Sequence, residues 1–342
     1  MTIREIAKKL GVSPSTVSMV INNKPGISAE TRKRVLEMVE KTGYSTRGIK
    51  SNVIKGKGNI QLIIVKKHSK VVSDTPFFSA LIEGLESSAR DHGYQLSITY
   101  VTVDSFSVEE INNAIRKNHI HGVVVLATEM LGNDIDRVKK IEVPVVVLDS
   151  FFLGKKLDCV IINNIGGSYI ATNHLIENGH KKIGYLSSSV SINNFEERKI
   201  GYKIALNEHD IPINESYEIK LKPTMEGAYN DMVEHLKRGI SLPTAFFADN
   251  DIIAFGAIRA LKEFNYKIPD EVSIVGFDDM PFCTIIDPPL TTINVNKKAM
   301  GKIAIERLIK KIEHKTSVFL KTELGVTLVK RNSVKNLNKE SL

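Results

Sequence analysis

Three polar side chains stand where apolar runs stop: Asp149 at the end of 144–149 (PVVVLD), Asn250 just after 244–249 (TAFFAD), and Asp278 at the end of 272–278 (VSIVGFD). Runs of this kind read as buried strands, and a polar group at a strand's carboxyl end faces a crevice. Arg198 lies in Glu196-Glu197-Arg198-Lys199-Ile200-Gly201-Tyr202, which reads as the start of a helix. Carboxylates and a guanidinium facing one another across a cleft accept from and donate to several hydroxyls at once, which suits a polyhydroxylated ligand. Two simpler roles stay open. Asp149 and Asp278 could cap a helix or turn, and Arg198 could pair with Glu196 or Glu197 at the surface.

A second set lies near the amino terminus. Ser15, Thr16, Ser18, Met19 and Asn22 share one face of a short helical stretch, opposite Val17, Val20 and Ile21. Small hydroxyl and amide groups let a helix approach a phosphate backbone closely and donate to it. A plain bundle would carry Lys/Glu mixtures on that face.

Catalytic patterns do not compete. The chain holds no GxGxxG, no GxxxxGK[ST], no GxSxG and no HExxH, the spacings that nucleotide, nucleophile and zinc chemistry need. His119-x-His121 reads as a pair of surface histidines before a strand. Asp278 and Asp279 are neighbours, so on a strand they point to opposite faces and do not share a proton. Cys159 and Cys283 have no CxxC partner, which leaves no disulfide framework and no zinc site and suits a reducing cytosol. No enzymatic activity and no cofactor is expected.

Spacing also gives the elements that carry these groups. Thr2 and Glu5 make a capping box for a first helix with Ile3, Ile6, Ala7 and Leu10 inside, and Gly11 supplies the turn. Ser13-Pro14 opens a second helix, with Ser at the cap and Pro at the first position. Ser28 caps a third, whose inner residues are Val35, Leu36 and Val39, ending at Gly43-Tyr44. Two short helices joined by a tight turn and braced by a third form a helix-turn-helix, which lays its second helix in the major groove. The charge agrees. Residues 1–57 hold 12 Lys/Arg and 4 Asp/Glu, against 47 and 39 in the whole chain, so the remainder balances at 35 and 35. The entire excess of +8 therefore sits on this segment, where it would meet phosphates.

Beyond residue 57, strand-like runs at 60–65, 96–101, 122–127, 144–149, 182–188, 244–249 and 272–278 alternate with helical stretches at 78–92, 107–118, 166–178, 195–209, 226–237, 251–264 and 297–312. Such alternation predicts parallel sheets with helices on both faces, in two similar series divided near residue 160. This pattern resembles the architecture of periplasmic binding proteins (type I), which implies a ligand in the cleft between two lobes. No apolar run approaches the roughly 20 residues that span a bilayer, and Met1 leads straight into an amphipathic pattern, so a cytoplasmic location is expected.

The runs Thr2-Ile3-Arg4-Glu5-Ile6-Ala7, Gly11-Val12-Ser13, Ser15-Thr16-Val17-Ser18, Val20-Ile21-Asn22 and Ile27-Ser28-Ala29-Glu30-Thr31-Arg32 resemble the head of the lactose/galactose-repressor family of bacterial transcriptional regulators. The body resembles it too, from Thr75-Pro76-Phe77-Phe78 through Gly276-Phe277-Asp278-Asp279 to Pro288-Pro289-Leu290-Thr291-Thr292-Ile293. The resemblance implies base reading by Pro14, Ser15 and Met19, and phosphate contacts by Thr16, Ser18 and Asn22. Met19 departs from the basic or polar reader common at its position and is expected to pack on a thymine methyl. The resemblance places effector contacts at Phe77, Phe78, Asp149, Asn194, Arg198, Asn250 and Asp278; the aromatic pair would stack on a sugar face or a base, or belong to the core.

It also implies a hinge helix in the minor groove, with Val53 as apolar wedge and Lys50 at the helix–helix contact. Thr46 and Gly48 make that helix poor, and a flexible basic tether is the alternative. The expected division is a helix-turn-helix head at 1–45, a hinge at 46–57, a sensor and dimerisation core at 58–335, and a polar tail at 336–342. Within the core the first lobe takes about 59–160 and 290–320, and the second about 161–289 and 321–335. The tail lacks the leucine heptads of tetrameric members, so a homodimer on a pseudo-palindromic double-stranded DNA operator is expected, controlled by a small molecule, in the first place a sugar.

Overall fold

The helix-turn-helix pattern and the β-α alternation each close around a core of their own. The computed structural model describes residues 3–21, 26–41, 57–72, 76–314 and 317–338. Asn22, Lys50 and Val53, together with Thr2 of the capping box, lie outside these residues. The chain forms two units, Met1–Gly56 and Lys57–Leu342.

The first unit contains α1 (Ile3–Leu10), α2 (Pro14–Ile21) and α3 (Ala29–Lys41). Ile6, Ala7, Val17, Val20 and Val35 are its buried centre. Gly11 turns at φ +66°, which a side chain would resist. Ser13 and Ser28 cap their helices, accepting from Thr16 N at 3.0 Å and Thr31 N at 3.2 Å. Leu36 departs from the expected inner stripe of α3: it is 48% exposed, and Met38 packs inward with Val39 instead. Position 36 follows 35 by 100° around the helix, so the narrow core of three short helices reaches only one of the two.

The second unit holds two six-stranded sheets. The first takes β1 (Gly58–Lys66), β2 (Tyr94–Thr102), β3 (Ile120–Leu126), β4 (Val145–Leu148), β5 (Asp158–Ile162) and β11 (Lys321–Leu324), in the order β11-β5-β4-β3-β1-β2, all parallel. The second takes β6 (Ile183–Ser188), β7 (Glu218–Leu221), β8 (Ala245–Ala248), β9 (Ser273–Asp278), β10 (Thr291–Asn294) and β12 (Thr327–Val329), in the order β12-β10-β9-β8-β6-β7. Only the β10–β12 pair is antiparallel. Helices α4 (Pro76–Asp91), α5 (Val108–Lys117), α6 (Asn164–Glu177), α7 (Asn193–Glu208), α8 (Met225–Lys237), α9 (Asp251–Glu263) and α10 (Lys297–His314) connect the strands. No helix among the described residues is long and apolar enough to cross a membrane.

The two late segments sit otherwise than the sequence division had them. Residues 291–294 join the second sheet beside β9, not the first lobe. Residues 321–324 join the first sheet beside β5, not the second lobe. A strand of four mostly polar residues fits beside a parallel strand of either sheet, so its hydrogen-bond partners decide, and periodicity carries no such information. α10 does return to the first lobe. Its Arg307 Nε reaches the fully buried Asp158 of β5 at 2.5 Å, and Lys311 pairs with the same carboxylate.

α10 crosses α4 with backbone against backbone. A Cβ at Gly84 would stand 2.2 Å from the Lys298 carbonyl oxygen, and one at Gly301 2.5 Å from that of Leu81. Gly84→Ala is therefore expected to push the helices apart and cost about 1–3 kcal/mol, read as a lower denaturant midpoint. An unchanged midpoint would show that the crossing has slack.

Candidate functional site

On α2, Ser13 Oγ lies 2.6 Å from Ser15 Oγ and 2.9 Å from Thr16 Oγ1. Pro14 and Ser15 are exposed, while Thr16, Ser18 and Met19 are half-buried. Lys8, Lys9, Lys33 and Arg34 are exposed on the flanking helices. Arg34 also donates to the Leu10 carbonyl at 3.2 Å, closing the end of α1. The structure thus describes five of the six residues assigned to bases and phosphates, all on this helix, while Asn22 and the hinge pair Lys50 and Val53 lie outside the described residues.

All seven residues nominated for a small molecule line one cleft between the two sheets' carboxyl ends, with about 460 Å³ of empty space including its open mouth. From the first lobe come Phe77 and Phe78, in the first turn of α4, and Asp149, just past β4. From the second come Asn194 and Arg198 on α7, Asn250 past β8 and Asp278 ending β9. Asp149 turns at φ 65° and Asp278 at φ 111°, left-handed conformations that lift their carboxyls off the strand line.

Asp149 is no helix cap. Its carboxylate accepts from Thr128 Oγ1 at 2.6 Å and, across the lobes, from Asn194 Nδ2 at 3.1 Å. Asn193 adds bonds to Ser150 Oγ and the Phe151 carbonyl. The cap is Asn250 instead, whose side chain accepts from Ile253 N at 2.9 Å at the start of α9. Nor does Arg198 pair with Glu196 or Glu197 at the surface. It is buried, donating to Asn164 Oδ1 at 3.0 Å, the Asp249 carbonyl at 2.5 Å and Asp278 Oδ1 at 3.3 Å. Its guanidinium lies 3.7 Å over the Phe277 ring. Phe77 and Phe78 meet edge to face at 5.0 Å and are each 7% exposed, so they serve the core and the cleft together.

Sequence reasoning missed several members. Thr128 ends the β3 run as Asp149 ends β4, and the same strand-end rule would have found it. Asn164, Asp249 and Phe277 support Arg198 without a spacing signal. Asp249 accepts from Tyr185 Oη and from Ser188 N at 2.6 Å. Asp251 accepts from Thr292 Oγ1 at 2.6 Å, Met280 N at 2.8 Å and Cys283 Sγ at 3.1 Å.

Burial drives the electrostatics. It pushes Asp149 up to about 6, against the bonds from Thr128 and Asn194 and the nearby Arg198 charge. It pushes Asp249 and Asp251 each up to about 7, and Asp278 is raised for the same reason despite Arg198 and Lys297. Carboxyls from both lobes, one guanidinium, two side-chain amides and an aromatic pair can accept from and donate to hydroxyls while a flat face stacks. Among the described residues no group of three or more His, Cys, Asp or Glu is placed to hold a metal ion.

The raised Asp149 gives a sign. A carboxyl whose folded pKa is raised contributes stability that is complete below its unfolded value of about 3.9 and is lost as pH rises through its folded value. Relative to Asp149→Asn, the wild-type chain is expected to lose unfolding free energy between about pH 4 and 6 and then level off. Denaturant titrations at a series of pH values give the difference curve; a rising or flat curve contradicts the burial argument.

Comparison with known proteins agrees with both units. Residues 2–47 match the model of bacterial regulatory proteins, lacI family, and residues 172–334 that of a periplasmic binding protein-like domain. The HTH-type transcriptional repressor PurR of Mannheimia succiniciproducens is 33% identical over 346 aligned positions, covering 98% of this chain and 99% of that protein. The transcriptional regulator CelR in complex with cellobiose superposes with a TM-score of 0.72 at 25% identity, over 97% of this chain and 99% of its own. A LacI family transcriptional regulator from Enterococcus faecium with bound ribose gives 0.69 at 26% identity, over 81% and 99%. Similarity to a repressor along nearly the whole of both chains, with the head and the sensor core in the same order, shows that this chain belongs to the lacI family of bacterial regulatory proteins.

Proposed function

We propose that this chain is a homodimeric, cytoplasmic, sequence-specific DNA-binding repressor controlled by a small molecule in the interlobe cleft. The observation that carries the reading is the convergence of seven polar and aromatic residues from both lobes on one cleft, in a chain whose whole positive excess lies in residues 1–57, the helix-turn-helix head and the hinge together. Pro14, Ser15 and Met19 read bases; Thr16, Ser18 and Asn22 hold phosphates; Lys50 and Val53 work at the minor groove. Two heads address the half-sites of a pseudo-palindromic operator.

The effector is a neutral polyhydroxylated molecule, a sugar. Asp149 and Asp278 face it from opposite lobes as acceptors, and Asn194 and Arg198 are the donors. Cellobiose and ribose in two similar regulators support this class. A purine is the second reading, favoured by the Phe77–Phe78 pair and by relatives named PurR.

Duplexes recovered by the full chain from a random pool test the reading. Binding should weaken linearly in log salt, and at least one of a panel of sugars and purines should change it by about fivefold or more. If no duplex is retained at low salt, the proposal fails. Met19 should place an A·T pair in each half-site. Met19→Arg should move that position toward G·C, with discrimination of about 1–3 kcal/mol. An unchanged consensus would remove Met19 from the interface.

A further inference from the structure

Glu129 is the most heavily bonded carboxylate near the cleft, and none of the assigned roles includes it. It follows Thr128 directly past β3, is 0% exposed, and has no cation among its bonds. Its Oε2 accepts from the backbone N–H groups of Lys67, His68 and Ser69 at 2.6, 2.8 and 3.1 Å. Its Oε1 accepts from those of Val71 and Val72 at 3.0 and 2.9 Å. Five amides therefore wrap one side chain, and the segment that leaves β1 is bent around it, with Ser69 held at φ 52°. Burial alone would raise this carboxyl, yet the amides of Val72, His68, Lys67 and Val71 outweigh it and hold the group below its ordinary value.

This segment leads to the cleft. Val71 is one of its lining residues, Val72 packs in the same core as Phe77 and Phe78, and α4 begins a few positions on at Pro76. Two consecutive residues past β3 thus divide the work: Thr128 holds Asp149, and Glu129 holds the 67–72 segment. We infer that Glu129 is a positioning residue for small-molecule binding, fixing Val71 and the first turn of α4 against the cleft. The inference rests on the reading of this cleft as a ligand site. A carboxylate is needed because only two acceptor-only oxygens can take five N–H groups; an amide would turn an NH2 toward two or three of them.

Full-length wild type, Glu129→Gln and Glu129→Asp should be compared by hydrogen exchange without ligand, and by calorimetry with cellobiose, ribose and hypoxanthine as probes. Glu129→Gln should speed exchange about a hundredfold at 67–72 and about tenfold in the first two turns of α4, leaving the head and the second sheet unchanged. Glu129→Asp, which keeps the charge, should fall between. For a probe that binds wild type, Glu129→Gln should weaken it about tenfold or more, while ligand-free affinity for a duplex selected by wild type stays within about twofold. Unchanged exchange at α4, or probe affinity equal to wild type, overturns the inference. Loss that follows global unfolding equally in both variants also overturns it. If none of the probes binds wild type, that result counts against the cleft reading, and the exchange pattern at α4 decides the role of Glu129.

Discussion

The second lobe is organised around a cation that cannot leave. Arg198 is 3% exposed, and an unpaired charge at that depth would cost several kcal/mol or more. Its three bonds reach Asn164 at the start of α6, the Asp249 carbonyl past β8, and Asp278 at the end of β9. Three chain segments far apart in sequence therefore meet at one guanidinium, and the position of each follows from its need. The constraint extends through packing. Phe277, on which the guanidinium lies, presses so closely on α6 that a Cβ at Gly167 would come within 2.6 Å of its ring. Gly276 likewise has no room for a Cβ, because Asp251 Oδ1 would stand 2.1 Å away. The ligand-facing wall is rigid because its glycines, its ring and its cation fit only together.

That dependence explains what was legible in the sequence. Buried parallel strands must be apolar on both faces, so β1, β3, β4, β8 and β9 announce themselves, and past β3, β4, β8 and β9 a polar residue near the end of the run stands at the crevice. Asp149, Asn250 and Asp278 follow from that rule. Arg198 was found by its helix start, but its burial was not, since Glu196 and Glu197 beside it offered a cheaper surface partner. The edge strands β7, β11 and β12 are three or four residues long and partly exposed, so they carry no apolar run to read.

Glu129 shows a different limit. Its partners are five main-chain amides, and a main-chain amide has no letter in the sequence. Nothing at positions 67–72 marks the segment as a collar, and a single Glu after a strand reads as solvated surface. The same holds for the exchange of 291–294 and 321–324 between lobes. Pairing is a property of backbone geometry, and residue types only permit it. Side-chain chemistry was readable where it is carried by residue type and unreadable where the backbone supplies the partner.

The lobes meet in a way that suits regulation on the proposed reading. Among the described residues the chain passes between sheets after Ile162, Asn294 and Leu324, so relative motion is confined to bending of three adjacent strands of chain. Across the cleft the direct bonds are few and polar: Asn194 to Asp149, Asn193 to Ser150 and Phe151, and Lys297 at the start of α10 to the Asp278 and Asp279 carbonyls. A neutral bond of this kind is worth only about 0.5–1.5 kcal/mol net and one to a charged group about 1.5–3 kcal/mol, so these bonds hold the closed arrangement by several kcal/mol at most. A ligand that bonds to Asp149 on one side and to Asn194 and Arg198 on the other makes its full set of contacts in the closed arrangement alone. Only that difference in affinity can shift the balance. The Asp149–Asn194 bond is then a placeholder, holding both partners in position and yielding its lone pairs and hydrogens to a ligand that offers better ones.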